Sequence, residues 1–192
     1  FHCSETGKVT AKAAGTAVIT ATSAAGKTAQ YKLTVKTPSV KMNASAKTLY
    51  VKGSPATVTL KATTAGVTGK VTYTSSKPSV AAVAANGKVT AKAAGTAVIT
   101  AKCGNYKATC KITVKKPAVK ASASAKTVFV GGTSQIKVEK TGVSGKVTYT
   151  SSNKSVAVVS AGGKVTAKKA GTATITVKSG NKKITCKVKV KK

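Results

Sequence analysis

Apolar and polar residues alternate with a period of two through most of this chain. Across 172–177, Ala173, Ile175 and Val177 fall on one phase and Thr172, Thr174 and Thr176 on the other. Ile184, Cys186, Val188 and Val190 alternate in the same way with Thr185, Lys187, Lys189 and Lys191. A strand points successive side chains to opposite faces, so this pattern predicts half-buried β-strands. Threonine and valine suit such a surface, because a branched Cβ packs well on the pleat. Turn pairs (Gly69–Lys70, Asn86–Gly87, Gly104–Asn105, Gly162–Gly163, Gly180–Asn181) recur through both repeats with no helical stretch between them. The phase also predicts the core. Val58, Leu60, Val83, Ile99, Ile112 and Val114 should be buried with Tyr73, and Ile136, Val159, Ile175, Val188 and Val190 with Tyr149, leaving Lys111 and Lys187 outside.

The pattern repeats. GKVTAKAAGTAVIT occurs unchanged at Gly7–Thr20 and Gly87–Thr100, and GKVTAKKAGTATIT follows at Gly163–Thr176, spacings of 80 and then 76 residues. GKVTYTSS stands at Gly69–Ser76 and Gly145–Ser152, and ASAKTLYVKG (44–53) matches ASAKTVFVGG (123–132). Gly53, Ser54 and Pro55 have no counterpart before Thr133. Repetition at a fixed spacing marks an array of like modules. Two complete modules are expected at 38–116 and 117–192, joined through Lys115–Lys116–Pro117, with only the back half of a module at 1–37. About seven short strands in each complete unit fit an all-β fold of tandem immunoglobulin-like β-sandwiches.

The stretches TYTSSKPSVAAVAANGKVTAKAAGTAVITA (72–101) and TYTSSNKSVAVVSAGGKVTAKKAGTATITV (148–177) resemble the bacterial immunoglobulin-like domain, group 2. That family shows an SS-x-x-SVA-x-V stretch, then G-x-V-TA-x-x-AGTA-x-IT and a closing strand of Lys, Thr and Val. Both complete modules carry the resemblance, as does 7–35 of the half module. Tyr73 and Tyr149 stand where many members have tryptophan, and an aromatic ring still fills the site. The resemblance implies modules in tandem on bacterial surface and secreted proteins, adhesins of the intimin and invasin type among them, and on phage particles.

Composition sharpens the reading. Thirty-four lysines face two acids, Glu5 and Glu139, with no arginine and no aspartate, for a formal charge of +32. Apolar residues make up 41%, too many for a disordered polycation. No apolar run reaches 18 residues, so no membrane span is expected. Catalysis needs positioned acids, bases or nucleophiles. Here the single histidine, His2, has no aspartate to orient it, and the two glutamates lie in different modules. Gly26–Lys27–Thr28 lacks the glycine five residues upstream that a phosphate loop requires, since Ala21 stands there. Cys3, Cys103, Cys110 and Cys186 show no zinc spacing. No catalytic residue, cofactor or metal is expected. An internal Lys–Asn isopeptide bond needs a buried acid, whereas Glu139 shares the outward phase with Lys137.

Cys103 and Cys110 are a possible disulfide across the last hairpin of the second module, but only if a six-residue loop, 104–109, sets them opposite one another. A tight Gly104–Asn105 turn would instead pair Cys103 with Tyr106 and leave the thiols out of reach. The sequons Asn43–Ala–Ser45 and Asn153–Lys–Ser155 are chance matches in a chain this rich in serine.

The lysines give the functional question its form. They number five in 1–37, thirteen in 38–116 and sixteen in 117–192. Solubility and protection of sheet edges would account for them. A field this one-sided also attracts polyanions such as wall polymers and anionic glycans, with Lys111, Lys115, Lys182, Lys183, Lys187, Lys189 and Lys191 as candidate contacts. Sequence-specific nucleic-acid reading lacks its arginine forks and stacking aromatics. The expected role is a non-catalytic structural and adhesive stalk of an extracellular bacterial surface or secreted protein, spacing or anchoring an upstream functional domain. The alternatives are a lysine-coated module that binds polyanions, phage-borne or wall-associated, and a subunit of an extracellular filament. The first module needs completion by upstream polypeptide or by another chain.

Overall fold

The structure is a computed structural model that describes residues 2–4, 6–123 and 126–192. The described residues form strands and turns with no helix. Four strands come first: β1 (His2–Cys3), β2 (Val9–Thr10), β3 (Gly15–Thr22) and β4 (Thr28–Val35). Nine follow: β5 (Ser39–Met42), β6 (Ala46–Tyr50), β7 (Thr57–Thr59), β8 (Ala62–Ala65), β9 (Thr72–Ser75), β10 (Ala81–Val83), β11 (Lys88–Ala91), β12 (Gly95–Cys103) and β13 (Tyr106–Lys115). The last eight are β14 (Ala118–Ala123), β15 (Thr127–Phe129), β16 (Thr133–Thr141), β17 (Val147–Ser151), β18 (Ala157–Val159), β19 (Lys164–Ala167), β20 (Gly171–Ser179) and β21 (Lys182–Lys191).

The last eight strands make two four-stranded sheets, in the orders β14-β16-β19-β18 and β15-β21-β20-β17. Their inner faces close on one core holding Ile136, Val165, Ile175, Val177, Val188 and Val190. The strands β5 to β13 repeat the plan, with one sheet in the order β6-β13-β12-β9. The opposing layer is made of β5-β8 and β10-β11-β7, because the counterpart of β16 is interrupted at Leu60 and Lys61. At that interruption Asn43 takes over the ladder, its N–H donating to Lys61 O and its Oδ1 accepting from Lys61 N–H. In each sandwich a short parallel strand, β6 or β15, covers the edge of the closing strand, β13 or β21.

The predicted phase holds. Leu60, Ile99, Ile112, Val114, Ile136, Ile175, Val188 and Val190 are buried, and Lys111 and Lys187 are exposed. Val58, Val83, Val159, Tyr73 and Tyr149 are half-buried at the rims of these cores. Tyr73 also uses its polar tip, its Oη accepting the Ala62 N–H at 2.9 Å. Its ring lies over Gly87, which has a φ of 79° and whose N–H donates to Ala84 O. A Cβ there would meet both the ring and Leu60 O, so this turn requires glycine on two counts.

The first strands differ. β3 and β4 pair only with each other among the described residues, and β1 pairs with β2. On β3 and β4, Ala17, Ile19, Leu33 and Val35 are half-buried, and Tyr31 is 68% exposed. The pair β1–β2 was not foreseen as a ladder. Glu5 lies outside the described residues, as does the side chain of Cys3.

A lysine-coated sheet face as the candidate functional site

Candidate contacts for a polyanion lie on the closing strands, and the strand period decides which way each points. On β13, Lys111 and Lys115 are exposed while Cys110, Ile112 and Val114 between them are buried. On β21, Lys183, Lys187, Lys189 and Lys191 are exposed while Val188 and Val190 are buried. Alternate residues on one face repeat about every 7 Å, so Lys187, Lys189 and Lys191 form a row of like charge. Their cross-strand partners are neutral, Thr174 opposite Lys187 and Thr172 opposite Lys189, so this stretch of the face carries no acid. Lys178 pairs with Lys183 at the far end of the hairpin and extends the row. The sequence pattern assigns these positions through phase alone, since the inward residues must be apolar.

Lys182 departs from that set. It falls on the inward phase with Ile184 and Cys186, opposite Ser179, and is half-buried. There it borders a hollow lined also by Val51, Lys52, Lys116, Pro117 and Asn181, where the two sandwiches meet. Sequence reasoning did not find this grouping, because its members come from both ends of two modules.

Glu139 is exposed on β16, opposite Lys120 and beside Lys137, as its phase required. Among the described residues no group of three or more His, Cys, Asp and Glu side chains is placed to hold a metal ion. Among the described residues no helix is long and apolar enough to cross a membrane.

The cysteine register follows the tight turn. Cys103 pairs with Tyr106 and Cys110 with Ile99, and both thiols are free and buried. Tyr106 and Cys110 are four positions apart on one strand, about 13 Å of rise, which is why no bridge forms. Cys103 Sγ faces the carbonyls of Thr68 and Gly69 at 3.8 and 3.3 Å. Burial pushes the Cys110 thiol up from its ordinary pKa, against a smaller opposing pull from the Lys47 ammonium. Cys186 is a free, half-buried thiol. The sequon asparagines serve the backbone: Asn153 Oδ1 accepts from the N–H groups of Ser155 and Val156, as Asn43 does from Lys61.

A family model described as bacterial Ig-like domain (group 2) matches residues 113–188, and one described as bacterial Ig-like domain matches residues 69–116. Comparison with curated proteins gives no match. Among solved structures, a crystal structure of the S-layer protein SbsC is similar at 22% identity, covering 98% of this chain and 36% of that one, with a TM-score of 0.50. Domains 4 and 5 of SbsC are 27% identical over 81% of this chain and 98% of that one, with a TM-score of 0.47. A C-terminal 282-residue fragment of intimin, in complex with the intimin-binding domain of the translocated intimin receptor, is 20% identical over 78% of this chain and 62% of that one, with a TM-score of 0.36. This chain therefore spans about a third of the longer SbsC structure, and what the two share is the fold. With its repeated strand pattern, paired sheets and matched motifs, the stretch 69–188 belongs to the bacterial immunoglobulin-like domain family, 113–188 to its group 2.

Proposed function

We propose that this chain is a non-catalytic structural and adhesive stalk of a bacterial cell-surface or secreted protein. Its units are a half module at 1–37 and complete modules at 38–116 and 117–192. The observation that carries the reading is the end-to-end contact between the two complete sandwiches. Ser54 N–H donates to Gly142 O at 3.0 Å across the joint, and Tyr50 lies against Gly142. Modules joined by backbone hydrogen bonding and an aromatic contact suit a spacer better than beads on a free linker do. SbsC, which has the same fold, is a surface-layer protein, and the proposal places this chain likewise outside the cell. In the half module the open apolar face of β3 and β4 calls for the front half of a module as its partner, from upstream polypeptide or another chain.

A second reading is favoured by the lysine row on β21: the coat itself binds polyanions such as wall polymers or anionic glycans. Titration of the chain with a heparin-like or teichoic polymer at about 50 and 200 mM salt separates the two. A working lysine face binds at the lower salt and weakens by orders of magnitude at the higher, because each contact releases condensed counterions. The module at 117–192, with sixteen lysines and one acid, should bind modestly tighter than 38–116 with thirteen and none. No binding at about 50 mM leaves the spacer reading alone, and the lysines then serve solubility. Tight binding that ignores salt would overturn both readings.

A further inference from the structure

The two complete modules carry the same turn after their short parallel strand, and among the described residues only one of the two turns is covered by a neighbouring module. In the first, Tyr50 and Val51 are half-buried. Val51 N–H donates to Lys115 O at 3.0 Å, Gly53 N–H donates to Tyr50 O at 3.2 Å, and Lys52 between them takes a positive φ of 49°. In the second, Val130 N–H donates to Lys191 O at 2.9 Å, Gly132 N–H donates to Phe129 O at 2.8 Å, and Gly131 has a φ of 84°. The backbone is the same turn, so Phe129 is presented as Tyr50 is. Yet Phe129 is 64% and Val130 48% exposed.

The first turn is covered by the start of the next module, at Pro117 and Gly142. The Tyr50 ring lies flat on Gly142, so that a Cβ at Gly142 would overlap three ring atoms. A Cβ on Gly53 would meet Gly142 O, Tyr50 Cβ and Pro117 Cβ together. The receiving end is thus a module's opening proline set beside a positive-φ glycine. The same pair recurs on the module before it, where Pro38 lies 3.6 Å from the Cβ position of Gly66, which has a φ of 62°. The receiving end is therefore a repeated part, and Phe129 and Val130 are a presenting end without its receiver.

We infer that Phe129 and Val130 are a docking surface for the proline–glycine end of a further bacterial immunoglobulin-like module of this same type. The surface deepens the stalk reading and rests on it, since a stalk continues only where each module receives the next. An aromatic ring on a bare glycine Cα gives close apolar contact that no other residue permits there. The second turn is three residues shorter than the first and lacks the counterpart of the Ser54 N–H bond, so the aromatic contact carries this joint.

The test extends the 192-residue chain after Lys192 with a second copy of residues 117–192, which restores a Lys–Lys–Pro junction. Residual dipolar couplings report whether the added module keeps a fixed orientation, and the Hα shift of its counterpart of Gly142 reports the ring. Docking predicts a common alignment tensor and an upfield ring-current shift. Both should disappear in F129S and weaken in V130S, while signals from the Ile175 and Val188 core stay in place, because neither turn residue belongs to that core. Independent tumbling of the added module, or F129S behaving as the parent, overturns the inference. Self-association of the unextended chain that F129S abolishes also overturns it, making a second copy of the chain the occupant. Polymer binding is read separately, so its failure leaves this result intact.

Discussion

Tyr73 shows how one residue joins two layers. Its ring fills the rim of the core over Gly87, and its hydroxyl accepts the Ala62 N–H where the strand is broken at Leu60 and Lys61. Replacing Tyr73 with Phe keeps the ring and removes the acceptor. The variant should lose about 1 kcal/mol, the usual net worth of a hydrogen bond whose donor is then left unmatched. Urea unfolding read by the shift in midpoint checks this; an unchanged midpoint means that water replaces the bond at no cost. An aromatic residue at this position was legible in the sequence. Its hydrogen bond was not, because the partner N–H is freed only by the interruption of the strand.

At the scale of elements, the chain contains its own control. Gly15–Thr20 and Gly95–Thr100 have one sequence, GTAVIT, inside a longer identical stretch. In β12, Ala97 and Ile99 are 1% and 0% exposed, whereas Ala17 and Ile19 of β3 are only half-buried. Intrinsic amide exchange depends on local sequence, so any difference in rate between these two segments is tertiary. Strands of a packed core open with nearly the global free energy, and an isolated two-stranded hairpin opens with almost none. Amide exchange in the 192-residue chain should therefore run at least about 100-fold faster in 16–20 than in 96–100. Equal protection would mean that another chain already completes the hairpin. The Tyr31 position points the same way, since its counterpart Cys110 is fully buried under strands that the hairpin lacks.

For the whole molecule, charge and fold oppose each other. A formal +32 on 192 residues repels itself in the compact state, and mobile ions screen that repulsion over about 10 Å at 0.1 M. Thermal stability should therefore rise as salt increases from about 20 to 500 mM, while affinity for any polyanion falls over the same range. Calorimetric scans across that series check it; a melting temperature that stays level or declines would show that the lysines are spaced widely enough not to interact. The exposed placement of Lys187, Lys189 and Lys191 along one strand, with neutral neighbours, leads us to expect the rise.

The period of two, the turn residues and the repeat were determined by the sequence alone. Each follows from what neighbouring residues do locally: branched side chains favour the pleat, glycine takes the positive φ, and alternation fixes which face is apolar. That is why the strand phase and the outward lysines were legible in advance, whereas the choice between a six-residue loop and a tight turn after Cys103 was settled only by the register that sets Cys103 opposite Tyr106. Tertiary structure decided the rest. Whether Ile19 and Ile99 share one fate depends on strands distant in sequence, and local pattern cannot say whether those strands are present. The three extra residues of the first turn read in sequence only as a length difference, yet in space Gly53 and Ser54 reach Gly142 of the next module. Contacts of that kind join residues about ninety positions apart, and no periodicity along the chain encodes them.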